Sequence, residues 1–138
     1  MNIYFSCSLT GGRSDEQIYG AIVDALLALG HSVPTAHLAR PEVMALEKTI
    51  DPVEVYTRDV RWVREADRLI AEVSTPSHGV GYEIALALTL GKPVLCLYRD
   101  GARVSKMLTG NTEPTVTVKA YRDEGEALKR VKDFLSTE

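Results

Sequence analysis

Cysteine is scarce in this chain of 138 residues, with Cys7 and Cys96 standing alone in apolar stretches that read as buried strands. So low a count, with no secretory leader pattern before it, argues against a disulfide framework and for reduced core thiols in a soluble, cytoplasmic protein. Long apolar runs are missing as well: the longest fall far short of the roughly 20 residues a membrane span needs. Basic charge is not in excess, since 16 Lys and Arg face 19 Asp and Glu for a net charge of -3. The basic residues are scattered, which excludes a surface for a nucleic-acid polymer and leaves room for a discrete anionic small molecule. Several chemistry-bearing motifs are absent. There is no Gly-Lys-Ser/Thr ending of a Walker loop and no Gly-x-Gly-x-x-Gly fingerprint, and neither Ser8 nor Ser77 sits in a Gly-x-Ser-x-Gly elbow. His31, His37 and His78 keep no regular spacing with one another, with cysteines or with carboxylates, so no metal site is expected.

What is present is the composition of one globular domain over residues 1–138, 45% hydrophobic and 25% charged. Residues 2–8 read as a short buried strand. Residues 14–29 carry apolar side chains at helical spacing, with a capping box from Ser14 to Gln17 and a C-cap glycine at Gly30. A weak second strand is expected near residues 32–35, then an irregular or short helical stretch to Thr49. Asp51-Pro52 opens a helix running to about Glu65. Strands follow at 68–73, 94–98 and 115–119, and helices at 81–90 and 123–135. Strands alternating with helices predict an α/β fold: a doubly wound, five-stranded parallel sheet, flavodoxin-like (Rossmann-like), in the order 2-1-3-4-5. In that order the loops after Ser6 and after Val73 face each other across one crevice.

Two loops and two acids are candidates for chemistry. Ser6 to Arg13 combines hydroxyls with Gly11, Gly12 and Arg13 ahead of a helix, which suits an anion held by backbone donors and equally suits a plain turn. Ser74 to Glu83 runs from a strand through glycines into an Ala/Leu helix and leaves Glu83 near the helix start, where a dipole role is the simple reading. Asp59 lies three residues before the only tryptophan, Trp62. Flanked by Arg58 and Arg61, it reads most simply as a surface ion-pair residue. Two acids converging on one crevice can also divide the cleavage of a glycosidic bond, one attacking the anomeric carbon and one assisting the leaving group. His37 is placed after the second strand to reach that crevice, or to be an ordinary loop histidine.

Taken together, Tyr4-Phe5 before Ser8, Gly11-Gly12-Arg13, Thr35-Ala36-His37, Asp59 near Trp62, and Ala71-Glu72-Val73 leading to Pro76-Ser77-x-Gly79-Val80-Gly81-Tyr82-Glu83 resemble one family. The chain is similar to the 2'-deoxynucleoside 5'-monophosphate N-glycosidases, a branch of the nucleoside 2-deoxyribosyltransferase superfamily. The likeness continues through Leu95-Cys96-Leu97 and Arg103-Val104-Ser105-x-Met107. It implies that Glu83 is the nucleophile at C1' of the deoxyribose, that Tyr4 orients it, and that Asp59 binds the sugar and helps protonate the departing base. It implies a substrate set of Ser8, Gly11, Gly12, Arg13, His37, Ser77, Gly79, Ser105 and Met107, with no cofactor or metal.

Ser77 and Ser105 stand where the transferring branch has an aspartate and an asparagine. Hydroxyls there can donate to a 5'-phosphate that an aspartate would repel. In the family the late serine reaches the neighbouring subunit's site, so the resemblance implies a homodimer with Ser105 contributed across it. Thr10 replaces the first arginine of the family's Ile-Arg-Gly-Gly-Arg, which leaves base preference and deoxyribose-against-ribose choice open. Three alternatives remain beside the hydrolase: base exchange between nucleosides, a ribonucleotide-preferring CMP-type glycosidase, and a nucleotide sensor without turnover.

Overall fold

The computed structural model describes residues 1–9 and 13–137. Strands β1 (Ile3–Ser6), β2 (Arg68–Glu72), β3 (Val94–Arg99) and β4 (Val116–Tyr121) form one parallel sheet in that order. The α-helices among the described residues are α1 (Arg13–Ala28), α2 (Met44–Glu47), α3 (Pro52–Glu65), α4 (His78–Thr89), α5 (Lys106–Thr109) and α6 (Glu124–Ser136). The Gly11-Gly12 pair lies outside the described residues, as do the side chains of Arg13 and of Ser14 in the expected capping box.

Each strand is covered on both faces, as parallel strands joined by helical crossovers must be. Ile3, Phe5, Ile70, Leu95 and Leu97 point to the side of α1 and α6, where they meet Ile22, Leu26, Val131 and Phe134. Tyr4, Leu69, Ala71, Val94 and Cys96 point the other way, against Val63 on α3 and Val80, Ile84 and Ala87 on α4. The result is an α/β Rossmann-like fold around a parallel sheet. Local chemistry explains the helix ends. Asp51 Oδ1 accepts from the Val53 N–H at 2.9 Å with Pro52 in the first turn, and Gly30 and Gly91 take positive φ to close α1 and α4.

The expected fifth strand is not formed. Of residues 32–35 only Ser32 pairs, in a single parallel bridge to Asn2. Pro34 has no N–H to continue a ladder, and Thr35 takes over with its side chain: its hydroxyl accepts from Phe5 N–H at 3.1 Å and donates to Phe5 C=O at 2.7 Å. The edge of β1 is therefore satisfied by the Ser32 bridge and one buried hydroxyl, and among the described residues the sheet has four strands in place of five. A second difference concerns α4, which begins at His78 and not at residue 81. Gly79 and Gly81 are helical residues, and Glu83 sits beyond the first turn.

β1 and β2 are neighbours, with Ser6 opposite Ala71. The loops leaving their C-terminal ends consequently open on the same side of the sheet. The loop after β2 is pinned from beneath: the fully buried Glu72 accepts from Ser74 N–H at 3.2 Å, from the Ser74 hydroxyl, and from Tyr121 at 3.2 Å. Thr75 donates to Asp15 on α1 at 2.6 Å.

Candidate active site

Glu83 is a half-buried carboxylate on α4 that leans toward the end of β1. Tyr4, buried on β1, sets its phenol beside it, near enough to favour the ionised carboxylate. Burial pushes the Glu83 carboxyl up to about 7, and the Asp59 charge adds to that; the hydroxyls of Tyr4 and Ser6 and the Arg58 cation pull the other way. Ser6 Oγ lies close enough to favour the ionised carboxylate but makes no hydrogen bond of good geometry. The Tyr4 phenol is itself raised, first by burial and then by the charges of Glu83 and Asp59, so it stays protonated. Cys7 is likewise held as a thiol, pushed up to about 12 by burial.

Asp59 on α3 faces Glu83 across a cleft of about 400 Å³ between α3 and α4. Gly79 lines the same cleft. A Cβ there would lie 3.8 Å from Glu83 Oε1 and 3.9 Å from Ser77 Oγ, so the glycine leaves free the space directly over the carboxylate. Apart from the two acids the walls are mostly apolar, with Val60, Val63 and Leu86 behind and the paired rings of Tyr56 and Tyr82 at the mouth, 6.1 Å apart. Asp59 is not a surface ion-pair residue of the ordinary kind. Its side chain is 17% exposed, and it accepts from Arg58 Nε at 2.8 Å.

Behind Asp59 stands a group the sequence did not announce. Arg58 Nη1 donates to Glu47 Oε1 on α2 at 2.7 Å, and its guanidinium lies 4.9 Å over the Trp62 ring. His37 Nε2 is 3.3 Å from the same Glu47 oxygen, with its ring edge-on to Trp62 at 5.8 Å. A carboxylate only accepts, so the His37 proton lies on Nε2 and Nδ1 is the acceptor in the neutral ring. Arg58 was visible only as a flank of Asp59, and nothing in the local pattern around Glu47 pointed to the site.

The expected substrate residues are divided. Tyr4, Asp59, Gly79 and Glu83 come together, and His37 reaches the same region through Glu47 and Arg58. Ser77 caps α4, accepting from Val80 N–H at 3.4 Å, and stands between two spaces: the Glu83 cleft on one side and a groove of about 830 Å³ on the other. Ser105 and Met107 line that second groove, not the cleft. Ser105 caps α5, accepting from Met107 N–H at 3.2 Å, and Met107 is 81% exposed. Ser8 is buried at the foot of the loop after β1, beside Tyr19 and Leu38. Among the described residues no three His, Cys, Asp or Glu side chains are arranged to hold a metal ion. Nor is any helix among them long and apolar enough to cross a membrane.

The family model for nucleoside 2-deoxyribosyltransferases matches residues 3–128. The chain belongs to that family. A Methanosarcina mazei protein provisionally named 2'-deoxynucleoside 5'-phosphate N-hydrolase 1 is 42% identical over 130 residues, which is 94% of this chain and 80% of that protein. The 5-hydroxymethyl-dUMP N-hydrolase of Mus musculus is 42% identical over 113 residues, 79% of this chain and 65% of the mouse protein. Among solved structures, the CMP N-glycosidase of Clostridium botulinum superposes with a TM-score of 0.76 at 19% identity, covering 97% of this chain and 99% of that one. That last likeness speaks for the fold alone.

Proposed function

We propose that this protein is a hydrolase that cleaves the N-glycosidic bond of 2'-deoxynucleoside 5'-monophosphates, giving a free nucleobase and 2-deoxyribose 5-phosphate. The observation that carries this reading is the meeting of Glu83 and Asp59 in one cleft, with Tyr4 buried beside Glu83, in a chain about 40% identical to proteins named for that reaction. The ionised Glu83 carboxylate attacks C1', the C1'–N bond breaks with its electron pair going to the base, and a glycosyl ester remains on Glu83. The departing nitrogen takes up a proton from solvent relayed through Asp59, whose carboxylate then stabilises the oxocarbenium charge in a partly desolvated cleft. Water then attacks C1' and gives its proton through Asp59 back to solvent, the ester bond returns its electrons to Glu83, and the sugar phosphate leaves. Gly79 and Ser77 lie on the side of the cleft from which N–H and O–H donors can reach a phosphate, and Ser8, Gly11, Gly12 and Arg13 complete the proposed substrate set.

A homodimer belongs to this reading, with Ser105 and Met107 serving the neighbouring subunit's site. Their position on a groove apart from Glu83 and the exposure of Met107 support it. The nucleotide substrate and the two free thiols favour a cytoplasmic setting.

The family also contains base-exchanging enzymes, so the assay must separate the two fates of the ester. Each deoxynucleoside and its 5'-monophosphate is incubated with the protein, with and without a second base, and the products are resolved by chromatography. Free base from the monophosphates alone, abolished in Glu83→Ala, is the expected result. Transfer to the added base would replace hydrolysis with exchange, and base released equally fast by Glu83→Ala would overturn both. Ribonucleotides in a parallel arm decide the sugar.

A further inference from the structure

We infer that Arg58 is the positioning residue of this site: one guanidinium, clamped between Glu47 and Asp59, fixes the Asp59 carboxylate and supplies the positive charge among the acids beside Glu83. The inference rests on the proposed attack by Glu83 and assigns a role to residues that the family resemblance did not name.

Adjacent residues on a helix do not face each other, so the 2.8 Å bond from Arg58 Nε to Asp59 requires the arginine to fold back along α3. Two contacts hold it there, one from α2 and one from the next turn of α3. Glu47, whose side chain is 6% exposed, accepts from Nη1 at 2.7 Å, and Trp62 lies beneath the guanidinium plane at 4.9 Å. A planar fork with several donors can serve both acids at once and stack on an indole; a lysine ammonium, a single point of charge, cannot keep both in that geometry. Glu47 in turn meets His37, so Asp59, Arg58, Glu47 and His37 form one chain of polar contacts along the cleft's inner side.

The charge balance follows from who faces Glu83. From β1 and the residue after it come Tyr4, Ser6 and Cys7, all neutral; from α3 come Asp59 and Arg58. Arg58 is thus the cation that offsets Asp59 and Glu47 near the nucleophile. Without it both acids stand uncompensated in a half-buried space, and an ionised Glu83 becomes harder to maintain.

The test compares the parent with Arg58→Met, Arg58→Lys and Glu47→Gln. NMR titration of ¹³C-labelled glutamate carboxyls, with the Glu83 signal assigned by Glu83→Gln, reads the nucleophile directly. The pH dependence of kcat and KM is measured on a deoxynucleoside 5'-monophosphate that the parent cleaves. In Arg58→Met the Glu83 titration and the acid limb of the rate profile move up by about one pH unit, and kcat falls at least roughly tenfold with a smaller change in KM. Arg58→Lys keeps the titration near the parent's and still loses rate. Glu47→Gln, which removes a negative charge, does not move the titration upward. An unmoved Glu83 titration in a folded Arg58→Met overturns the inference. Should Arg58→Met fail to fold by circular dichroism, a lysine variant as fast as the parent overturns it instead. A parent that releases base from no nucleotide overturns the functional reading and the catalytic part of this inference with it, whereas an active parent with an unmoved titration overturns the role of Arg58 alone.

Discussion

Tyr4 and Glu83, one on β1 and the other on α4, stand side by side, the buried phenol protonated and the carboxylate next to it. The phenol favours the ionised carboxylate against a burial effect that opposes it, so Tyr4 bears on both the orientation and the protonation of the proposed nucleophile. In the parent, kcat/KM for a deoxynucleoside 5'-monophosphate should rise with pH through an acid limb near 7. Tyr4→Phe should move that limb upward and lower kcat by about tenfold or more, measured from initial rates between pH 5 and 9. A limb that stays in place would remove Tyr4 from the mechanism.

The same burial makes Glu83 a cost to the fold. Its carboxyl is raised from 4.5 to about 7 in the folded protein, so between those values the folded chain holds a proton that the unfolded chain has released. Stability is therefore lost as pH rises through this window, by roughly 2–3 kcal/mol, and the loss is constant above it. Glu83→Gln, neutral at every pH, should be more stable than the parent by about that amount at pH 8 and no more stable at pH 4. Urea unfolding at the two values measures the difference. A variant less stable than the parent at pH 8 would show that the ionised carboxylate is welcomed by its surroundings.

Local signals were readable in the sequence, and long-range ones were not. The start of α3 at Asp51-Pro52 and the ends of α1 and α4 at Gly30 and Gly91 depend on side chains within a turn of each boundary, so residue identity suffices to place them. Tyr4, Asp59 and Glu83 were legible because the strand order and the resemblance to the glycosidases converge on them. The Arg58–Glu47 contact depends on where α2 packs, which no spacing encodes. The separation of Ser105 from Glu83 depends on the path of residues 99–111. The weak second strand expected near residues 32–35 did not form because Pro34 has no N–H to carry a ladder and the Thr35 hydroxyl takes up the pairing of Phe5.

That hydroxyl supplies a direct test of the four-stranded edge. Thr35→Val keeps shape and volume but leaves the N–H and C=O of Phe5 without their partner in a buried place. It should cost about 2–4 kcal/mol in urea unfolding, because two buried backbone groups lose satisfaction at once. Thr35→Ser, which retains the oxygen, should cost much less. Equal losses in the two variants would mean that the methyl packing, and not the pairing, holds the edge.

Gly81 offers a test of whether the groove beside α4 is covered by a second subunit. A Cβ at this position of α4 meets nothing within 4 Å, and alanine is the better helix former, so Gly81→Ala should leave thermal stability unchanged or raise it by up to about 1 kcal/mol. Gly81 lines the groove that holds Ser77 and Ser105. If the groove is closed by a second subunit, the added methyl should weaken self-association in sedimentation experiments while leaving the fold intact. Unchanged association together with unchanged activity would free the groove from that role.

The placement of Ser105 in a groove away from Glu83 allows a sharper experiment on the proposed homodimer. If Ser105 serves the neighbouring site, a mixed dimer of Glu83→Ala and Ser105→Ala subunits contains one site with its own Glu83 and its neighbour's Ser105, both intact. Its other site lacks both. Mixing the two poorly active variants under conditions of subunit exchange should then restore about a quarter of the parent's rate, since half of the dimers are mixed and each carries one complete site. If Ser105 instead acts within its own subunit, every site in the mixture lacks one residue or the other, and activity after mixing stays at the average of the two variants. The recovery depends on exchange, so it should grow with incubation time and vanish when either subunit is cross-linked to its own kind beforehand.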